Sequence, residues 1–186
     1  MPHPEDAALP RYARAVIRAA LGGPQAERPA GPAMDRPAAV FVTLRWPDGE
    51  LQGCIGTIEP RAPLADAVRD SARSAAFHDH RGRRFSLAES DQLFVEVSVL
   101  SPLEEIPFTD EASARAALRP GVDGVVLRCG ERQGTFLPQM WPRLGDAATF
   151  LDELKQKAGF PPDFWSPRIQ LLRYTVDEHS DGRHPP

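Results

Sequence analysis

The chain has 186 residues, 41% of them hydrophobic and 26% charged. That is enough to bury a continuous core without disulfides or metals, and it excludes a disordered class. A formal net charge of -4 excludes the broad basic surface of a general nucleic-acid binder. Only two cysteines occur, Cys54 and Cys129, and neither a basic-then-apolar leader nor an apolar run near the roughly 20 residues of a membrane span is present, so a cytoplasmic protein without a disulfide framework is expected.

Leu9, Tyr12, Ala13, Val16, Ile17, Ala20 and Leu21 recur at helical spacing with Arg11, Arg14 and Arg18 opposite, and Gly22-Gly23 stops this amphipathic first helix. Residues 24–37 form a Pro/Ala/Gly-rich connection too broken to pack regularly. Ala39 to Trp46 reads as a strand, Pro47-Asp48-Gly49 as a tight turn, and Glu50 to Ile58 as the returning strand. After Pro60 and Pro63, the residues Leu64, Ala65, Val68, Ala72, Ala75 and Ala76 make one small-residue face of a second helix suited to close packing on a sheet.

His78 to Arg84 is a polar, basic loop. Leu93, Val95, Val97 and Val99 alternate with Phe94, Glu96, Ser98 and Leu100 as a central strand covered on both faces. Thr109 is placed to cap a short helix through Leu118, with Asp110 and Glu111 complementing its dipole. Gly121 to Arg128 and Gly134 to Leu137 read as a β pair, Asp146 to Ala158 as a helix closed by Gly159, and Arg168 to Val176 as a final strand. Residues 178–186 are expected as a flexible polar tail. Strands and helices mix without a regular βα repeat, so the fold class is α+β, with a mixed, largely antiparallel sheet packed with helices, in one domain over 1–186.

The run Leu51-Gln52-Gly53-Cys54-Ile55-Gly56 sets a thiol between two glycines inside a strand. Glycine weakens a strand unless the backbone must bulge or be closely approached, so Cys54 occupies a special position. A thiol becomes a useful nucleophile beside a cation, a histidine or a helix N-terminus and within reach of solvent. The plain alternative is a small hydrophobe packed in a sheet.

The segments LQGCIGTIEPRAPL, VEVSVLSPLEEI, GVDGVVLRCGERQGTFLPQ and FLDELKQKAGF together resemble the AMMECR-type domain family, over nearly the whole chain. The prokaryotic members it resembles include the A component of the AmmeMemoRadiSam system, encoded beside or fused to a Memo-like protein and a radical-SAM protein. The resemblance implies an α+β architecture in which a larger sheet-containing lobe carries a smaller one, with the glycine-cysteine motif near the cleft between them. It also implies a catalytic or RNA-modifying role, with the Memo-like and radical-SAM proteins as partners. Gly53, Cys54, Ile55, Gly56 and Thr57 match its signature, as do Glu96 and Ser98 in the strand motif and Leu137, Pro138 and Gln139 in the late motif. Gln52 stands where the family usually has arginine, Lys155 where it often has cysteine, and His80 where proline is common. An anion contact by that arginine is therefore lost or supplied elsewhere, and a two-thiol mechanism using position 155 cannot operate.

The candidate site is accordingly a thiol-centred cleft acting on a small-molecule or nucleotide-containing substrate, with Cys54 and Glu96 as catalytic groups and Gly53, Gly56, Thr57, Gln139 and His78 as binding groups. The rival is a non-catalytic adaptor for the same partners. Glu96 serves as acid, base or orienting group, or simply pairs with an arginine. His78 and His80 offer acid-base chemistry, and with Cys54 a weak metal set that the spacing does not favour over a solvated loop. No cofactor is expected, because the chain has no cysteine cluster able to hold an iron-sulfur centre. Arg81, Arg83, Arg84 and Phe85 can grip phosphate and stack on a base, though such a loop is more often solvated charge. Gln139 bonds substrate or loop backbone; Trp141 and Trp165 read as packing anchors, and Cys129 as structural.

Overall fold

The structure, a computed structural model, describes residues 8–181. The chain divides into two units, one made of residues up to Leu100 together with those from Asp177 onward, the other of Ser101–Val176. Both are α+β, and each contains its own antiparallel sheet.

In the first unit, helix α1 (Ala8–Ala20) buries Leu9, Tyr12, Ala13, Val16 and Ile17, the stripe its periodicity dictates. Strands β1 (Pro37–Arg45) and β2 (Leu51–Gly56) form a hairpin closed by Gly49 N donating to Trp46 O at 2.9 Å, with Gly49 at φ +85°. A short β3 (Ala62–Pro63) pairs with the start of β1, and helix α2 (Leu64–Phe77) follows directly. Strand β4 (Phe94–Leu100) lies between β1 and β9 (Val176–Ser180), so the main path across the sheet is β2-β1-β4-β9. Val40, Val42 and Leu44 of β1 and Val95 and Val97 of β4 form one core with the buried faces of α1 and α2.

The alanines of α2 serve this packing. Ala65, Ala72 and Ala75 are fully buried, and side chains no larger than a methyl let the helix axis approach the hairpin closely. Between Phe77 and β4 the chain makes one more short helix, α3 (Leu87–Ser90), too short to show an apolar period in the sequence. Its start is a capping box in which the Ser86 side chain accepts from Glu89 N and the Glu89 carboxylate accepts from Ser86 N.

In the second unit the sheet runs β5-β8-β6-β7, built from β5 (Glu104–Glu105), β6 (Gly124–Cys129), β7 (Arg132–Phe136) and β8 (Gln170–Tyr174). Helices α4 (Glu111–Ala117), α5 (Trp141–Leu144) and α6 (Ala147–Lys157) complete it, with a 3-10 turn at Pro138–Met140. Its core gathers Val125, Leu127, Trp141, Phe150, Leu151, Leu154 and Leu171, and Trp141 stacks on Phe150 at 3.9 Å between ring centroids. Trp165 packs at the margin of the same core, edge-on to Phe108. Cys129 is buried there too, at the end of β6.

Three sequence expectations are corrected. The cap of α4 is Asp110, whose carboxylate accepts from Ser113 N at 2.7 Å, and Thr109 instead donates its N–H to the Ser113 hydroxyl. The single final strand over Arg168 to Val176 is two strands, β8 and β9, which belong to different sheets with Thr175 between them. Nothing in the β-favouring run Tyr174-Thr175-Val176 announces that switch. The tail expected to be flexible from residue 178 instead continues β9 to Ser180, and Asp181 is ion-paired with Arg14 of α1. Residues 182–186 lie outside the described residues.

Candidate functional site

The hairpin register decides what stands beside the thiol. Thr43 is the cross-strand partner of Cys54 on one side and of Glu96 on the other. Directly opposed residues of antiparallel strands project to the same face, so Cys54, Thr43 and Glu96 form a row across β2, β1 and β4. This is the face opposite the one that α1 and α2 cover, where Val42 and Val97 point. Cys54 and Glu96 stand two strand spacings apart, roughly 10 Å between backbones. Cys54 is half-buried, as is Glu96. The Thr43 hydroxyl donates to Cys54 Sγ at 3.3 Å, so the sulfur has a fixed neutral donor.

The backbone of Cys54 is held from the other side. Its N–H donates to Asp79 Oδ2 at 3.0 Å, and its carbonyl accepts from Arg81 Nη2 at 3.4 Å. Both polar groups therefore point away from β1, which makes Thr43 and Cys54 a non-hydrogen-bonded pair, the kind whose side chains approach most closely. Asp79 and Arg81 thus supply the acceptor and donor that a further strand would otherwise provide at this edge.

The pair is rigidly assembled. Asp79 accepts from Arg81 Nε at 2.9 Å, from Arg81 Nη2 at 2.7 Å and from Arg81 N at 3.1 Å, the last closing a side-chain turn typical of aspartate. The Asp79 side chain is 3% exposed and that of Arg81 50%. The hydrogen bonds from Arg81, helped by the N–H groups of Cys54 and Arg81, hold the Asp79 carboxyl well below the usual carboxylate range against the opposing effect of burial. Reciprocally, hydrogen bonding to Asp79 raises the Arg81 guanidinium above its ordinary value, and negative charge at Cys54 acts in the same direction.

The flanking glycines are there for close approach. A Cβ on Gly53 would lie 2.0 Å from Ala75 O, and one on Gly56 would lie 2.0 Å from Val40 O. Gly53 lets the C-terminal end of α2 press against β2, while Gly56 lets the strand end sit tightly on β1. Beyond it, the Thr57 hydroxyl donates to Glu59 O at 2.9 Å within the turn.

Gln52 has a separate task. It is 1% exposed, and its amide nitrogen donates to Ala76 O at 3.2 Å and Arg83 O at 2.9 Å. Its amide oxygen accepts from Trp46 Nε1 at 2.9 Å and Arg83 N at 3.2 Å. All four hydrogen-bonding positions of the amide are thereby used, tying the hairpin to the end of α2 and to the basic loop. Position 52 in this chain is a buried strut.

The remaining candidates lie elsewhere. His78 follows the last turn of α2, donating its N–H to Ser74 O, and is exposed, as is His80. Among the described residues no group of three or more His, Cys, Asp or Glu side chains could hold a metal ion. Gln139 is in the 3-10 turn of the second unit. Lys155, also in that unit, is fully buried and paired with Glu111 at 2.8 Å and Asp152 at 2.9 Å.

In the basic loop, Arg83 lies over the Trp46 ring at 4.1 Å, Phe85 meets Trp46 edge-on, and Phe77 stacks on Phe85 at 5.7 Å with 38% of its surface exposed. Thr43 and Asp79 were not singled out from the sequence. For Asp79 a signal was present, since it precedes Arg81-Gly82 in a turn-forming order; for Thr43 there was none, because the register continued from the turn would set it opposite Gly53, and the irregularity between Leu44 and Arg45 moves it to Cys54.

The AMMECR1 family model matches residues 10–179. Protein MJ0810 of Methanocaldococcus jannaschii is 39% identical over 168 residues, covering 88% of this chain and 84% of that one. A protein of Methanothermobacter thermautotrophicus is 42% identical over 146 residues, covering 77% and 76%. Among solved structures, that titled as the uncharacterized protein PH0010 from Pyrococcus horikoshii superposes with a TM-score of 0.83 at 36% identity, covering 92% of this chain and 88% of that one. No helix among the described residues is long and apolar enough to cross a membrane.

Proposed function

The chain belongs to the AMMECR1 family, and on that footing we propose that Cys54 is the nucleophile of a site at the β2 edge of the first sheet, on the face away from α1 and α2, acting on a small-molecule or nucleotide-containing substrate. One observation carries the reading: a half-buried thiol receives a hydroxyl hydrogen bond from Thr43 while its own backbone is pinned to an Asp79–Arg81 ion pair. The hydroxyl contact and the pinned backbone hold the sulfur in one orientation, with the Arg81 guanidinium bonded to the carbonyl of the same residue. Glu96, on the same face one strand beyond Thr43, is the group available for proton transfer or for orienting substrate.

Alkylation by iodoacetamide tests this. Cys54 should react at neutral pH faster than a small free thiol in the same buffer, Cys129 should stay unlabelled in the folded protein, and Thr43→Val should slow Cys54 severalfold. A Cys54 rate no higher than that of the free thiol, or unaffected by Thr43→Val, removes the nucleophile.

The second reading is a binding module for Memo-like and radical-SAM partners, and it draws on the exposed Phe77–Phe85 stack beside Arg83. Aromatic and guanidinium groups in this combination dominate binding energy at interfaces. It calls for a complex in co-purification that survives Cys54→Ser and is lost in Phe77→Asp. RNA modification requires retention of RNA on the protein at low ionic strength that falls as salt is added. Failure to retain RNA there eliminates it.

A further inference from the structure

We propose that Arg81 is the anchor for an anionic group, carboxylate or phosphate, of the molecule presented to Cys54. This rests on the thiol-centred reading of the site and names the class of its substrate.

The geometry is that of a preorganised cation with one end in use. Nε and Nη2 of Arg81 are engaged by Asp79, and Nη2 also donates to the Cys54 carbonyl. Nη1 has no partner among the described residues, and half of the side chain is exposed. A flexible surface arginine loses rotamer freedom when it binds an anion; Arg81 has already been ordered by Asp79, and the cost of fixing it is largely met in folding. The Asp79 carboxylate does not cancel this role, because its side chain is enclosed while the guanidinium forms the outward end of the pair. Each Asp79 oxygen is already occupied.

Proximity to the thiol follows from the Nη2 to Cys54 carbonyl contact of 3.4 Å. Covalent geometry keeps a cysteine sulfur within roughly 5 Å of its own carbonyl oxygen, so guanidinium and sulfur are separated by no more than about 8 Å. A molecule of a few heavy atoms spans that distance.

Two alkylating agents that differ only in charge read the effect at the sulfur. Iodoacetate and iodoacetamide both form the S–C bond as iodide departs with the electron pair, and only iodoacetate carries an anion for Arg81. The iodoacetate-to-iodoacetamide rate ratio at Cys54 should exceed that of a free thiol about three- to tenfold at low salt, and shrink with added sodium chloride. It should fall to the free-thiol value in Arg81→Gln and stay partly raised in Arg81→Lys. Removing Arg81 alone strands the enclosed Asp79 charge, so the Asp79→Asn/Arg81→Gln double variant serves as a folded control with the same expected loss. An equal ratio in the wild type and the folded double variant overturns the anchor.

A second measurement does not depend on thiol chemistry. Titration with inorganic phosphate, and separately with acetate, should shift the backbone amide signals of Cys54 and Arg81 saturably, and the tighter of the two ions identifies the group. No saturable shift with either ion refutes the anion site whatever Cys54 does. Saturable shifts with an unreactive Cys54 refute the nucleophile and keep the anchor.

Discussion

Replacing Asp79 by asparagine tests the physical core of this site. The wild-type carboxylate accepts one backbone N–H from Cys54, one from Arg81 and two side-chain hydrogen bonds from Arg81, with its side chain almost fully enclosed. Asparagine keeps one acceptor oxygen but turns an amide NH2 toward the guanidinium, so at least two charge-assisted bonds are lost. Each is worth about 1.5–3 kcal/mol where desolvated. Arg81 is half-exposed and recovers part of this from water, which brings the expected loss to about 2–4 kcal/mol at pH 7. The pH dependence has a definite sign. A carboxyl depressed on folding contributes stability that is complete above its unfolded pKa and is lost as pH falls toward the folded one. With an unfolded value near ~3.9 and a folded value well below it, the gap between wild type and variant should shrink by about 1.3 kcal/mol between pH 7 and pH 3. Urea unfolding of both proteins at the two pH values measures it, and all other acids cancel in the difference. A gap below about 0.5 kcal/mol at pH 7, or one that does not narrow in acid, would refute the assignment of Asp79 as the buried partner.

Gln52→Ala leaves Trp46 Nε1, the Ala76 carbonyl and both backbone groups of Arg83 without their partner, and should cost about 2–4 kcal/mol in urea unfolding, against under about 1 kcal/mol for an exposed glutamine. Gly53→Ala brings a methyl to 2.0 Å from the Ala75 carbonyl, so α2 must shift. A drop of several degrees in Tm is expected, together with faster amide exchange in Ala75 and Ala76. Lys155→Ala removes a fully buried ammonium, leaves the Pro162 carbonyl without its donor and leaves Arg115 as the remaining cation between Glu111 and Asp152, and should destabilise by about 2–3 kcal/mol in urea unfolding, whereas no change would show that Arg115 alone holds the two carboxylates.

Helices with strong periodicity were legible from sequence because their apolar stripe and their burial have one cause: α1 and α2 bury the residues their spacing selects, except Ala20, which is exposed where α1 ends. The hairpin was legible from Trp46-Pro47-Asp48-Gly49, whose turn chemistry fixes its place within a residue or two. What stayed hidden depends on partners distant in the chain. The buried strut at Gln52 is indistinguishable from a surface glutamine until the loop 31 residues away closes on it. Nothing local marks Lys155 for burial, yet it is fully buried, because its partner Glu111 comes from an element 44 residues earlier. Cys54 and Glu96 were legible as candidates, yet their membership of one face follows from two strand registers, which no single segment encodes. The strand switch at Thr175 was missed because local preference is the same on both sides of it.

The position of β9 has a consequence for synthesis on the ribosome. The sheet bearing the thiol is contributed by the first hundred residues and then finished by Val176–Ser180, with Asp181 reaching back to Arg14. The intervening stretch, Ser101–Val176, holds its own sheet and core and can consolidate as it emerges. The earlier-made part must instead wait with an open strand edge at β4 until residues 176–180 arrive, and at an elongation rate of about 5–20 residues per second that wait lasts on the order of several seconds. A released chain ending at Thr175 should therefore display a protease-sensitive first unit and a resistant second one.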